Sequence, residues 1–78
     1  MLALSDKWGP LLTSEPETGV GYQIVTVLLR DGREFPQVVV QSGYVTRVRS
    51  HKDIPFSEED IARIIVTHEK WDWGKEPT

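Results

Sequence analysis

The sequence predicts a mostly β fold, a small and strongly bent antiparallel meander or barrel with one short helical turn. Three observations carry this. Two tight-turn dipeptides, Asp31-Gly32 and Ser42-Gly43, divide three segments rich in β-branched residues. Those segments are apolar on both faces, so the sheet must curl or be covered. The 78 residues allow a single domain with a thin core, burying roughly 60% of the unfolded surface.

Residues 1–21 hold Gly9, Pro10, Pro16, Gly19 and Gly21, punctuators that argue for an extended arm with at most a short turn near Leu2–Trp8. Trp8, Leu11 and Leu12 are the residues that could anchor it. The body spans 22–68. It opens with "YQIVTVLL", Tyr22–Leu29, an unbroken strand pattern. Asp31-Gly32 suits a two-residue type I′ turn, because glycine adopts positive φ freely and aspartate tolerates it. The chain returns as "REFPQVVVQ", turns again at Ser42-Gly43, and continues as "YVTRVRS", Tyr44–Ser50.

A two-residue first loop sets Arg30 opposite Arg33, Leu28 opposite Phe35 and Ile24 opposite Val39. The second loop sets Val40 opposite Val45 and Val39 opposite Thr46. One face then carries Tyr22, Ile24, Leu28, Phe35, Val39, Tyr44 and Val48, and the other Val25, Val27, Leu29, Val38, Val40 and Val45. Pro36 cannot donate to a ladder, so an edge position or a register-shifting bulge is expected there.

The segment "SEEDIARIIVTHEKW" carries two patterns. Ser57 with Glu58, Glu59 and Asp60 reads as a helix N-cap and acidic first turn, and Ile61, Ile64, Ile65 and His68 fit helical spacing. Against that, Ile64-Ile65-Val66-Thr67 is a β-branched run, and Ala62, Ile64 and Val66 fit period two. A helical turn at 57–60 feeding a strand at about 61–68 is favoured over a full helix. Residues 69–78 form the tail.

Charge and composition narrow the function classes. The net charge of −3 argues against a dedicated nucleic-acid binder. Residues 30–52 are the exception: Arg30, Arg33, Arg47, Arg49 and Lys52 face only Asp31 and Glu34, a local +3 that leaves −6 elsewhere. The absence of cysteine excludes disulfides and thiolate ligands. No signal-peptide pattern opens the chain and no apolar run approaches the ~20 residues of a membrane span, so a soluble, unanchored, cytoplasmic protein is expected.

Candidate sites follow from residue chemistry. His51 and His68 are the two histidines. An enzyme built on either needs a hydroxyl or carboxylate within hydrogen-bond reach, inside a cleft. A zinc site would have to recruit carboxylates, and no phosphate-cradling glycine loop follows a strand, so no cofactor is expected. Arg47, Arg49 and His51 recur at period two and would form a cationic ridge for an anion, or an outward face that prevents mispairing. Trp71 and Trp73 in "KWDW" share a side if extended, and with Trp8 could form an aromatic platform or close the ends of a thin barrel. Arg47, Arg49, Trp71 and Trp73 are therefore the candidate binding residues.

The stretch "VTVLLRDGREF" resembles the first motif of the Sm-like (LSm) proteins, with Val25, Val27, Leu29, Asp31, Gly32 and Phe35 matching in type and spacing. The resemblance covers about a dozen residues and implies an SH3/Sm-like small barrel. It does not imply uridine-rich RNA binding. Pro36-Gln37 replace the glycine that follows the aromatic residue in that family, "QSGYVT" occupies the next loop, and the chain has no asparagine. No functional residue is carried over.

The expectation is a non-enzymatic β-domain that acts as a protein-interaction or self-association module, binding a second copy or another protein. The alternative is a nucleic-acid or anion-binding module on the basic ridge. A small enzyme at His51 or His68 ranks third.

Overall fold

The computed structural model describes residues 1–71. The chain begins with β1 (Leu2–Ala3), a 3₁₀ turn at Asp6–Trp8 and helix α1 (Gly9–Ser14). Strands β2 (Gln23–Leu29), β3 (Glu34–Gln41) and β4 (Tyr44–Val48) form the meander. A second 3₁₀ turn at Glu58–Asp60 leads into β5 (Ile61–Val66). All pairings are antiparallel, in the order β1-β4-β3-β2-β5. The result is the expected mostly β architecture, a curled half-barrel meander with one short helix.

The first hairpin departs from the expected turn. Gly32 has φ +95°, but Asp31 does not share its positive φ. The Gly32 N–H donates to the Leu29 carbonyl (3.1 Å) and the Leu29 N–H to the Arg33 carbonyl (2.9 Å). The loop is thus three residues long, a turn closed by a left-handed glycine, and not a type I′ pair. Leu28 consequently faces Glu34, and Val27 faces Phe35. A bulge at Pro36-Gln37 adds one residue back, which restores the expected Ile24–Val39 pair. The type I′ loop is the second one, where Ser42 (φ +50°) and Gly43 (φ +81°) are both left-handed.

Three bulges decide what faces the core. The ladder shifts at Pro36-Gln37 on β3, at Thr46 on β4 and at Ala62 on β5. Each places two apolar residues three apart on the same face: Phe35 with Val38, Val45 with Val48, and Ile61 with Ile64. Strict period two puts Phe35 and Val48 on the opposite face, and the bulges correct this. The inner face buries Val25, Val27, Leu29, Val38, Val40, Val45, Val48, Phe56, Ile61 and Ile64 as one cluster. Phe35 packs on Phe56 with ring centroids 5.3 Å apart.

The first 21 residues are not an extended arm. Gly9-Pro10 starts α1 because proline's fixed φ and missing N–H suit the first turn of a helix. Pro16 ends it by holding Glu15 extended (φ −108°, ψ 146°). The Gln23 amide reaches from β2 to the carbonyls of Leu12, Glu15 and Pro16 at 2.9–3.2 Å and closes the helix end. Leu2, Leu4, Trp8, Leu11 and Leu12 then pack against the inner cluster. The helical turn and following strand form as favoured, with Ser57 and Asp60 in a capping box, but the strand stops at Val66, short of the expected 68.

Three carboxylates are held below their ordinary range by backbone donors. Asp31 accepts from the Arg33 N–H, Glu58 from the Ser5 N–H and Asp60 from the Ser57 N–H. Each group prefers its charged form in the folded chain. The stability they add is therefore present above the unfolded values, 3.8 for aspartate and 4.5 for glutamate, and is lost as pH falls through the folded ones. Thermal melts should be flat between about pH 7 and about pH 5, then fall below about pH 4.5. Glu58→Gln should remove part of that fall. A melting temperature indifferent to acid would deny these anchors a role.

Candidate functional site

The basic ridge is divided by the fold. β4 ends at Val48, Ser50 turns the chain at φ +68°, and His51 bridges back to Val48. Arg47 stays on the outer face, opposite Val39. Arg49 reaches Gln37: its N–H donates to the Gln37 carbonyl (3.3 Å) and its Nη1 to Gln37 Oε1 (2.5 Å). Its guanidinium lies 5.8 Å from the centroid of the Trp71 ring. His51 packs edge-on against Phe35 at 5.3 Å instead of joining Arg47 and Arg49. At the first hairpin, Arg30 Nε donates to the Glu59 carbonyl (2.9 Å) and Arg33 pairs with Asp31 (2.8 Å). Of the four candidate binding residues, the structure brings Arg49 and Trp71 together and sets Arg47 on the same face. Trp73 lies outside the described residues.

A cleft opens beside Trp71. Past β5, the N–H groups of Thr67 and His68 both donate to the Ile24 carbonyl, at 3.2 and 3.0 Å. His68 takes a left-handed conformation, φ +53°. The strap 67–71 then crosses from β5 over β2 to β3, where Gln37 Nε2 donates to the Lys70 carbonyl (2.9 Å). The opposite wall is the loop between α1 and β2. It is held by Thr18 N–H on the Tyr22 carbonyl (2.9 Å) and by the Glu17 carboxylate, which accepts the Gly21 N–H. The Tyr22 ring lies where a side chain at residue 19 would sit, so a larger residue there would have to displace the ring.

Between these walls is a cleft of about 440 Å³. Pro16, Tyr22, Ile24 and Trp71 supply its apolar lining, and Glu17, Thr18, His68 and Lys70 its polar groups. Its volume is that of a small-ligand or single-side-chain site. The sequence signals for it were weak. Thr18 and Tyr22 carry no motif, and Gln37 was marked only by the proline before it.

The cleft holds one hydroxyl–imidazole pair, with Thr18 Oγ1 2.6 Å from His68 Nδ1. Thr18 Oγ1 also accepts the Ile24 N–H at 2.8 Å. His68 Nε2 is buried with no hydrogen-bond partner among the described residues. The pair meets the condition set for a histidine-based site, a hydroxyl within hydrogen-bond reach inside a cleft, and it also ties the loop to the strap. Among the described residues no group of three His, Asp or Glu side chains could hold a metal ion, and no helix is long and apolar enough to cross a membrane. No protein-family model, curated protein or solved structure matches the chain.

Proposed function

We propose that the chain is a non-enzymatic binding domain that docks a short segment of another protein in the outer cleft. The observation that carries this is the cleft itself, where two aromatic residues, Tyr22 and Trp71, and Pro16 meet a rim of both charge signs, Glu17 and Lys70. Such a surface suits one bulky aromatic or aliphatic side chain flanked by polar backbone. The bridging of the Thr18 hydroxyl between the His68 ring and the Ile24 N–H supports a structural clasp.

The same geometry favours a different protein over a second copy. Ile24 and Val39, on the outer face, are fully buried within the single chain. The exposed large apolar side chains among the described residues are Met1, Val20 and Tyr44, which do not supply the broad patch that a self-associating face needs.

The test is selection of displayed random peptides against the full chain, followed by titration of the selected peptide. Trp71→Ala and Tyr22→Ala should each weaken binding by about tenfold or more, as anchors at a binding centre do. Arg63→Ala, an exposed change on β5, should leave it unchanged. Failure to select any peptide, or binding indifferent to both aromatic changes, would refute the proposal. A single-stranded oligonucleotide that binds with steep salt dependence and loses affinity on Arg47→Ala or Arg49→Ala would select the nucleic-acid alternative.

A further inference from the structure

Gln37 occupies a backbone conformation that does not suit it. It sits in the β3 bulge opposite β2 with φ +60°, where glycine enters freely and a longer residue is strained. The backbone alone favours glycine there, so the side chain needs its own explanation. Gln37 is only 7% exposed, and both ends of its amide are used. Nε2 donates to the Lys70 carbonyl, and Oε1 accepts from Arg49, whose guanidinium lies over Trp71.

We infer that Gln37 is the latch of the strap, a positioning residue that holds 67–71 against the sheet and so sets one wall of the cleft. It does not line the cleft itself. The wall residues His68, Lys70 and Trp71 all belong to the strap, which Thr67 and His68 tie to β2 at one end and Gln37 ties to β3 at the other. With the β3 tie broken, the two N–H bonds to the Ile24 carbonyl at the β5 end open more often, and the wall that carries Trp71 is no longer held to β3 through Gln37. Affinity for a docked segment then scales with the latched fraction. The inference rests on the binding reading above for its purpose, but not for its test.

The test is amide hydrogen exchange on the full chain without any peptide. Gln37→Glu keeps size and shape and the acceptor for Arg49, and sets a carboxylate against the Lys70 carbonyl. Gln37→Gly removes the side chain and relieves the backbone. In both, the Thr67 and His68 amides should exchange about tenfold faster, as expected for loss of one or two ordinary hydrogen bonds from a local unit. The Val25 and Val27 amides should keep parental rates. Unchanged exchange at Thr67 and His68 in both variants overturns the latch. Acceleration of the strap and β2 together overturns it too, because Gln37 would then support the sheet as a whole. A parent chain that binds no peptide would remove the binding reading and leave the exchange result standing.

Discussion

Replacing Gly32 with valine will lower the melting temperature by roughly 5–15 °C. Gly32 closes the three-residue loop at φ +95°, and apart from its chain neighbours no heavy atom of the described residues lies within 4 Å of the position a Cβ would take. The cost is therefore backbone strain and not a clash. A β-branched residue forced to positive φ costs on the order of 1–3 kcal/mol. Against the ~5 kcal/mol of a small domain this is a large fraction. Gly43→Val should behave alike, because Ser42 and Gly43 are both left-handed (φ +50° and +81°) in the type I′ loop. Gly9→Ala is the control: Gly9 has φ −55° and open space around it, so its melt should match or exceed the parent's. A Gly32→Val chain that melts with the parent would mean that the loop is built differently, and the Leu28–Glu34 register would fall with it.

Ile61→Ala should cost more, about 2–5 kcal/mol, and leave the domain marginal at 37 °C. Ile61 is 1% exposed, pairs with Leu29 across β2, and belongs to the inner cluster. Removing three carbons there opens a cavity that so thin a core has few neighbours to fill. Ile65 offers the comparison. It sits opposite Thr26 and is half-buried, so Ile65→Ala should cost clearly less. Urea unfolding of the two variants measures the difference through their midpoints. If Ile65→Ala proves the more damaging, the bulge at Ala62 is misplaced and the inner face has been assigned to the wrong residues.

That bulge also explains why β5 was ambiguous in the sequence. A bulged strand brings residues three apart to one face, and Ile61 with Ile64 is also what a helix would show. Arbitration came from the β-branched run after Ile64, which was enough for the strand but not for its kink. Helix α1 was missed for a related reason. Gly9 and Pro10 look like breakers in the sequence, whereas at a helix start they are compatible. Its closure depends on Gln23, which lies nine residues after Ser14 and has no local mark.

The site was legible only in part. Arg49 and Trp71 were singled out by residue type, and the fold brings them within 5.8 Å. The ridge of Arg47, Arg49 and His51 assumed that the strand continued, and the left-handed Ser50 ends that assumption. Thr18, Tyr22, Gln37 and His68 could not be grouped in advance, since they come from three separate segments of the chain.

The sequence by itself determined the strand-rich class, the places where the chain reverses and the capped turn before β5, because each is set by local φ/ψ preference, side-chain branching or hydrogen bonds within a few residues. Only the tertiary structure decided the loop length at Gly32, the bulges at Thr46 and Ala62, the helix closed by Gln23 and the cleft beneath the strap. Those are settled by which inner-face packing can be achieved when all five strands are paired at once. The energy differences among candidate registers lie in long-range contacts, and local residue patterns do not encode them.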